Sequence, residues 1–280
     1  EIFEVHMRGL KLAGDVDKEF LAKQTPGFSG ADIANVCNEA ALIAARRSKD
    51  AIEKQDFLDA IDRIVGGLEK KNSVITPSEK KVIAFHEAGH ATTSWMLEHA
   101  HPLVKVTIVP RGKALGAAWY LPDVRQITTK EQMFHEMVAT LGGRAAEQII
   151  FGQISTGALN DLEKVSKQAH AMVMYYGLDE TIGNVSYYDS TGQQEYSFQK
   201  PFSEKTAEKI DAEVSKIIEK AYQEALRILN EHKEGLTQLA EKLIDKEVIF
   251  SDDLVAIFGE RPWKTEERNF SRKDENTSIA

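Results

Sequence analysis

A mainly α chain carrying one small β element is what this sequence predicts, on three observations. Apolar residues recur at helical spacing over most of the chain. Helix-start signatures, in which a Ser or Thr is followed three residues on by an acid, stand at Ser29, Thr76 and Thr128. The clearest alternation is Val104-Lys105-Val106-Thr107-Ile108-Val109, which reads as a strand. At 280 residues the chain can bury a sizeable core, and a polar linker, Glu69-Lys70-Lys71-Asn72-Ser73, divides it into two units.

The first unit, residues 1–68, is expected to be a small helical domain. Asp17 to Lys23 reads as a short helix. Ser29 caps a helix over Ala31 to Ser48, with Asp32 closing the capping box and Ile33, Val36, Cys37, Ala40, Ala41 and Ala44 on its apolar side. A third helix over Lys54 to Val65 stops at Gly66-Gly67.

The second unit, residues 74–259, opens with a helix whose start is written three times over: Thr76 as N-cap, Pro77 at the first helical position and Glu79 closing the box. That helix ends near His99-Ala100-His101-Pro102, with both histidines read as solvent-facing or helix-end residues and not as ligands. Ala117 to Leu121 is expected to pair with the strand across a turn at Pro110 to Lys113. Thr128 to Gln148 reads as a helix boxed by Thr128 and Glu131 and interrupted at Gly142-Gly143 for close packing. Asn160 is expected to cap a helix that runs to Tyr176 and stops at Gly177. Gly183 to Lys200 reads as a loop or short hairpin. A long helix over Ser203 to His232 carries Ile210, Val214, Ile217, Ile218, Ala221, Ala225 and Leu229 on one side. Gly235 to Lys246 and Ser251 to Phe258 follow as shorter helices, and residues 260–280 are expected to be a disordered charged tail.

The chemistry is concentrated in His86-Glu87-Ala88-Gly89-His90. Positions i and i+4 share one face of a helix, so His86 and His90 can hold one metal ion, and Glu87 can act on a water beside it. This is the HExxH zinc-hydrolase pattern. Gly89 is costly inside a helix, about 1 kcal/mol against Ala, and suggests that something packs closely there. Such a site needs a third protein ligand, and a third histidine at the long-motif spacing is absent because Thr93 stands where that motif has glycine. Two carboxylates remain open on spacing alone. Asp161 lies in the first turn of a helix after the small-residue turn Ser155-Thr156-Gly157-Ala158. Glu147, after Gly142-Gly143-Arg144, serves either as the ligand or as the hydrogen-bond partner of a histidine.

Composition narrows the function classes. A net charge of −9 and the lack of any basic cluster argue against nucleic-acid binding. The single cysteine, Cys37, excludes an internal disulfide and fits a reducing compartment. The chain holds no Gly-x-x-x-x-Gly-Lys-Ser/Thr phosphate loop and no run of about 20 apolar residues.

Several segments in order resemble the C-terminal part of the FtsH family of membrane-anchored, ATP-dependent AAA zinc proteases, mitochondrial members included. They are Thr25-Pro26-Gly27-Phe28-Ser29-Gly30-Ala31-Asp32, Asn38-Glu39-Ala40-Ala41, His86 to Ala91, Val109-Pro110-Arg111-Gly112, Leu141-Gly142-Gly143-Arg144, Phe151-Gly152, and Ser155-Thr156-Gly157-Ala158 with Asn160-Asp161. The resemblance implies an AAA helical lid followed by a zinc-peptidase domain, with zinc on His86, His90 and Asp161 and Glu87 as catalytic base, which leaves Glu147 as a supporting residue. It implies weak nucleotide contact at Gly30 and Ala31, and ATP with Mg2+ only in a longer protein. It implies polypeptide substrates, which can add to the edge of the strand near the zinc, and a homo-oligomeric ring, expected to be hexameric. The chain begins at Glu1-Ile2-Phe3 without an initiator methionine and is read as part of a longer protein, anchored in an inner membrane through segments outside this sequence, with this part in the bacterial cytoplasm and a mitochondrial membrane as the alternative. The competing readings are a zinc hydrolase or amidase of another class and a catalytically silent ring scaffold.

Overall fold

A computed structural model describes residues 1–25, 27–67, 75–110, 116–120, 127–188 and 201–263. The linker at 69–73, the turn residues 111–113, most of the 183–200 stretch and the tail from 264 onward lie outside the described residues.

The chain is mainly helical with a small antiparallel sheet, and its buried apolar residues fall into two clusters. The first belongs to α1 (Ile2–His6), α2 (Lys18–Gln24), α3 (Gly30–Arg46) and α4 (Lys54–Gly66). Helix α1 was not foreseen, since five residues carry too little periodicity to read. Ser29 and Asp32 form the expected capping box at the start of α3. Ile33, Val36, Cys37, Ala40, Ile43 and Ala44 then face Leu21, Phe57, Ala60 and Ile61. An isolated parallel bridge between Leu12 and Ile52 pins the chain ahead of α4.

The second cluster gathers around α5 (Pro77–Met96), which starts with the Thr76–Glu79 box and Pro77 as expected. Its residues from Ala84 to Trp95 are all buried, so this helix is enclosed on every side rather than along one stripe. It crosses α6 (Lys130–Phe151) where Gly89 meets Gly142. A Cβ on Gly89 would sit 2.3 Å from the Gly142 carbonyl oxygen, and one on Gly142 would sit 2.3 Å from Thr93 Oγ1, so both positions must be glycine for the helices to approach this closely.

Two strand expectations hold. β1 (Leu103–Thr107) pairs antiparallel with β2 (Ala117–Tyr120). A third strand, β3 (Val248–Phe250), pairs with the other side of β1, giving the order β2-β1-β3. It was not read from the sequence because three residues between helices carry no pattern of their own. The remaining helices are α7 (Leu159–His170), extended by one π turn over Ala171–Tyr175, α8 (Glu204–Glu231), α9 (Lys233–Lys246) and α10 (Ser251–Phe258).

Three local readings are corrected. The box of α6 is formed by Thr129 and Gln132, one residue beyond Thr128 and Glu131, because the sequence holds two overlapping boxes and the helix uses the later one. Helix α6 runs unbroken through Gly142-Gly143, although the close packing inferred for them is present. Asn160 does not cap α7. A 3-10 turn over Thr156–Ala158 leads directly into that helix, and Asn160 lies within its first turn. At the start of the charged tail, Arg261 donates to the carbonyls of Leu97 (2.8 Å) and Ala100 (2.6 Å), a cation at the negative end of α5.

Candidate metal centre

Helix α5 supplies His86, Glu87 and His90, α6 supplies Gly143 and Glu147, and the first turn of α7 supplies Asp161. Three side chains meet: His86 Nε2 lies 3.1 Å from His90 Nε2 and 3.2 Å from Asp161 Oδ2, and His90 Nε2 lies 3.4 Å from the same oxygen. A tetrahedral zinc site with bonds of about 2.0 Å has edges of about 3.3 Å between ligand atoms. The observed triangle matches those edges. Among the described residues no other group of His, Cys, Asp and Glu converges in this way.

The far nitrogens fix the tautomers. His86 Nδ1 is 2.7 Å from Glu147 Oε1, and His90 Nδ1 is 3.0 Å from the carbonyl oxygen of Ala139. Both partners only accept, so each Nδ1 carries a proton and each Nε2 is the nitrogen that faces inward, the one a metal would take once it gives up any proton it holds. Glu147 also accepts from the Ser155 backbone N–H at 2.7 Å, which ties the turn before Asp161 to the histidine it steadies. This tie explains why the turn, and not Asn160, starts α7. Glu147 is buried and does not pair with Arg144 as a surface acid would. Gly143 is equally constrained, since a Cβ there would lie 2.5 Å from His86 Nε2.

Electrostatics follow from the arrangement. Burial disfavours a charged His86, but the Asp161 and Glu147 carboxylates outweigh it and push the imidazole up to about 10 in the metal-free chain. Burial also works against Asp161 ionising, yet the two histidines hold it well below the usual carboxylate range. Glu87 is different. Its carboxyl is buried, burial raises it above the usual range against the pull of His90 and His86, and it has no hydrogen-bond partner among the described residues. Gly116 lies directly over it: a Cβ there would be 2.7 Å from Glu87 Oε1.

The triad sits in a cleft of ≈ 1000 Å³ bordered by β2, with Val82 and Ile83 toward one end and His101, Glu136 and Gln168 toward the other. Gly30 and Ala31 do not line it; they open α3 in the other cluster. Tyr120 and Gly116 were missed in the sequence. Both line the cleft, and burial with the Glu87 and Asp161 carboxylates keeps the Tyr120 phenol protonated. Neither stands in a readable motif; only the pairing of β2 with β1 brings them over α5.

Comparison with known proteins agrees with this geometry. The profile of peptidase family M41 matches residues 73–257. This chain belongs to peptidase family M41. The AAA+ lid domain profile matches residues 15–59. The chain is 65% identical over 263 residues to the ATP-dependent zinc metalloprotease FtsH of Parabacteroides distasonis, covering 94% of this chain and 38% of that protein. It is 54% identical over 266 residues to the ATP-dependent zinc metalloprotease FtsH of Rhodothermus marinus, covering 94% of this chain and 38% of that protein. It is 49% identical over 289 residues to the mitochondrial inner membrane m-AAA protease component AFG3L2 of Mus musculus, covering 99% of this chain and 36% of that protein. The M41 chain thus spans well under half the length of these curated relatives. Among its described residues no helix is long and apolar enough to cross a membrane.

Proposed function

We propose that this chain is the peptidase part, with the AAA lid, of an ATP-dependent zinc metalloendopeptidase that cuts unfolded polypeptides. The observation that carries the reading is the triangle of His86 Nε2, His90 Nε2 and Asp161 Oδ2, whose 3.1, 3.2 and 3.4 Å edges suit one tetrahedral zinc, beside the buried carboxyl of Glu87, which has no hydrogen-bond partner among the described residues. When bound, zinc polarises the scissile carbonyl and acidifies a water. Glu87 takes the proton from the attacking water and passes it to the leaving amine, a task suited to a carboxyl that burial has made more basic. Glu147 and the Ala139 carbonyl keep the two imidazoles aimed inward. The outer edge of β2 borders the cleft and can take substrate as an added strand, through main-chain hydrogen bonds that do not depend on sequence.

The larger setting is part of the same proposal, and the relatives' names, with their ATP dependence and inner membrane, support its ATPase and membrane parts. Residues 1–68 act as the lid of an ATPase module, 69–73 as linker, 74–259 as the peptidase and 260–280 as tail, with Gly30 and Ala31 touching nucleotide at the start of α3. A ring of six copies, anchored in an inner membrane through segments outside this sequence, would enclose the cutting sites. The test is metal removal from the full-length protein. Cleavage of unfolded casein should stop on chelation and return with zinc; cleavage that persists in a metal-free sample would overturn the reading.

A further inference from the structure

The cleft continues past the triad into a polar trough that the mechanism above does not use. Helices α5 and α6 run antiparallel, so one turn beyond His90 on α5 comes level with one turn before Ala139 on α6. On that level stand Ser94, Glu136, His101 and, from α7, Gln168, all lining the cleft. Gln168 lies seven residues after Asp161 on the same helix, about 10 Å along its axis at 1.5 Å per residue. An extended substrate advances about 3.3 Å per residue, so the trough is within about three residues of the cut bond.

Glu136 is held in place there. His101 Nε2 lies 3.2 Å from its Oε1, and Gln168 Nε2 donates to its Oε2 at 3.0 Å. The carboxylate is still about a quarter exposed, at 24%, so it keeps a face open to the cleft. The trough therefore holds a charged acceptor with spare capacity. A group that only donates answers it, and among side chains those are the lysine ammonium and the arginine guanidinium. Lys164, exposed and one turn nearer the triad on α7, opposes this charge. It extends into solvent, whereas Glu136 is fixed by two partners.

Resting on the peptidase reading, we infer that Glu136, positioned by His101 and Gln168, forms a subsite selecting a lysine or arginine of the substrate within three residues of the cut bond.

The test uses full-length, zinc-loaded protein and peptides short enough to need no unfolding. Each of the three positions on either side of the cut is varied among Lys, Gln and Glu, and kcat/KM is read. At one position the Lys peptide should be cut about tenfold faster than the Glu peptide, as a charge-assisted hydrogen bond at a part-exposed site implies. Glu136→Gln should collapse that ratio by slowing the Lys peptide and speeding the Glu peptide. Glu136→Lys should invert it. Opposite changes on two peptides cannot come from general damage to the fold. A ratio that Glu136→Gln leaves intact, or an equal loss on all peptides, overturns the subsite. Failure of the peptidase reading looks different: no zinc-dependent cutting of any peptide by the unaltered protein, which removes the subsite with it.

Discussion

Each half of this molecule buries a carboxylate, and the two are treated in opposite ways. In the helical lid Asp56 is fully buried but surrounded: Arg47 lies 2.9 Å away, Lys49 lies 2.9 Å away, and the Glu53 backbone N–H donates at 3.0 Å. Burial alone would raise its carboxyl, yet these partners hold it below the usual range. In the peptidase Glu87 is buried with no hydrogen-bond partner among the described residues, and burial wins. A buried charge that serves the fold is paired, because leaving it unpaired costs more than its partners do. A buried carboxyl left without partners suits a base held ready for a proton, the role proposed for Glu87, at the expense of stability.

Substitution at the two acids should split that contrast most widely. Glu87→Gln is expected to lower kcat on casein by about 100- to 10,000-fold with zinc content unchanged, and to leave the melting temperature unchanged or raise it. Asp56→Asn should do the reverse: normal chemistry per folded molecule, but a loss of about 1–3 kcal/mol in denaturant unfolding as its partners lose their charge. Cleavage by Glu87→Gln at the parent rate would remove it as the base.

The proposed metal ligands and their support give the next largest effect. Glu147→Gln should weaken zinc roughly 10- to 100-fold in a competition titration, since it steadies His86 and the turn before Asp161 without being a proposed ligand. Asp161→Asn should weaken it further; the reverse order would make Glu147 the ligand.

Acidity tests the same centre. Zinc needs a neutral His86, whose metal-free imidazole stays protonated up to about 10. Binding near neutral pH must release that proton, so zinc affinity should rise by about one decade per pH unit between pH 7 and 9 and fall as the solution is acidified. A flat profile would show that His86 is already neutral.

The smallest contrast is between two helical glycines. Gly89→Ala drives a methyl into the Gly142 carbonyl and should cost about 1–3 kcal/mol. Gly30→Ala meets no atom within 4 Å and should change lid stability by less than about 0.5 kcal/mol. Equal effects would mean that the α5–α6 crossing relaxes more easily than its spacing suggests.

Much of this was legible beforehand, and the limits fall at particular residues. Local rules carried the helix starts at Ser29 and Thr76, the span of α8, and the pairing of His86 with His90, because each depends on residues a few positions apart. They failed at Thr128 against Thr129, where two boxes overlap and only packing chooses. They failed at Asn160, where a contact from Glu147 to Ser155 moves the helix start. They could not see β3, whose partner β1 lies far away in the chain. Gly142-Gly143 signals close packing but does not break α6, since the sequence marks a need for space without saying what fills it.

What the sequence determined by itself was the set of groups within one helical turn: two imidazoles on one face with a carboxyl beside them. What only the tertiary structure decided was which distant groups complete them. Asp161 closes the triangle, Glu147 steadies His86 from its far side, and Gly116 covers Glu87, each from another element. The reason is range. Helical periodicity fixes neighbours at i+4 by backbone geometry alone, whereas contacts across 61 or 75 positions, as for Glu147 and Asp161 with His86, exist only once three helices have packed on one core.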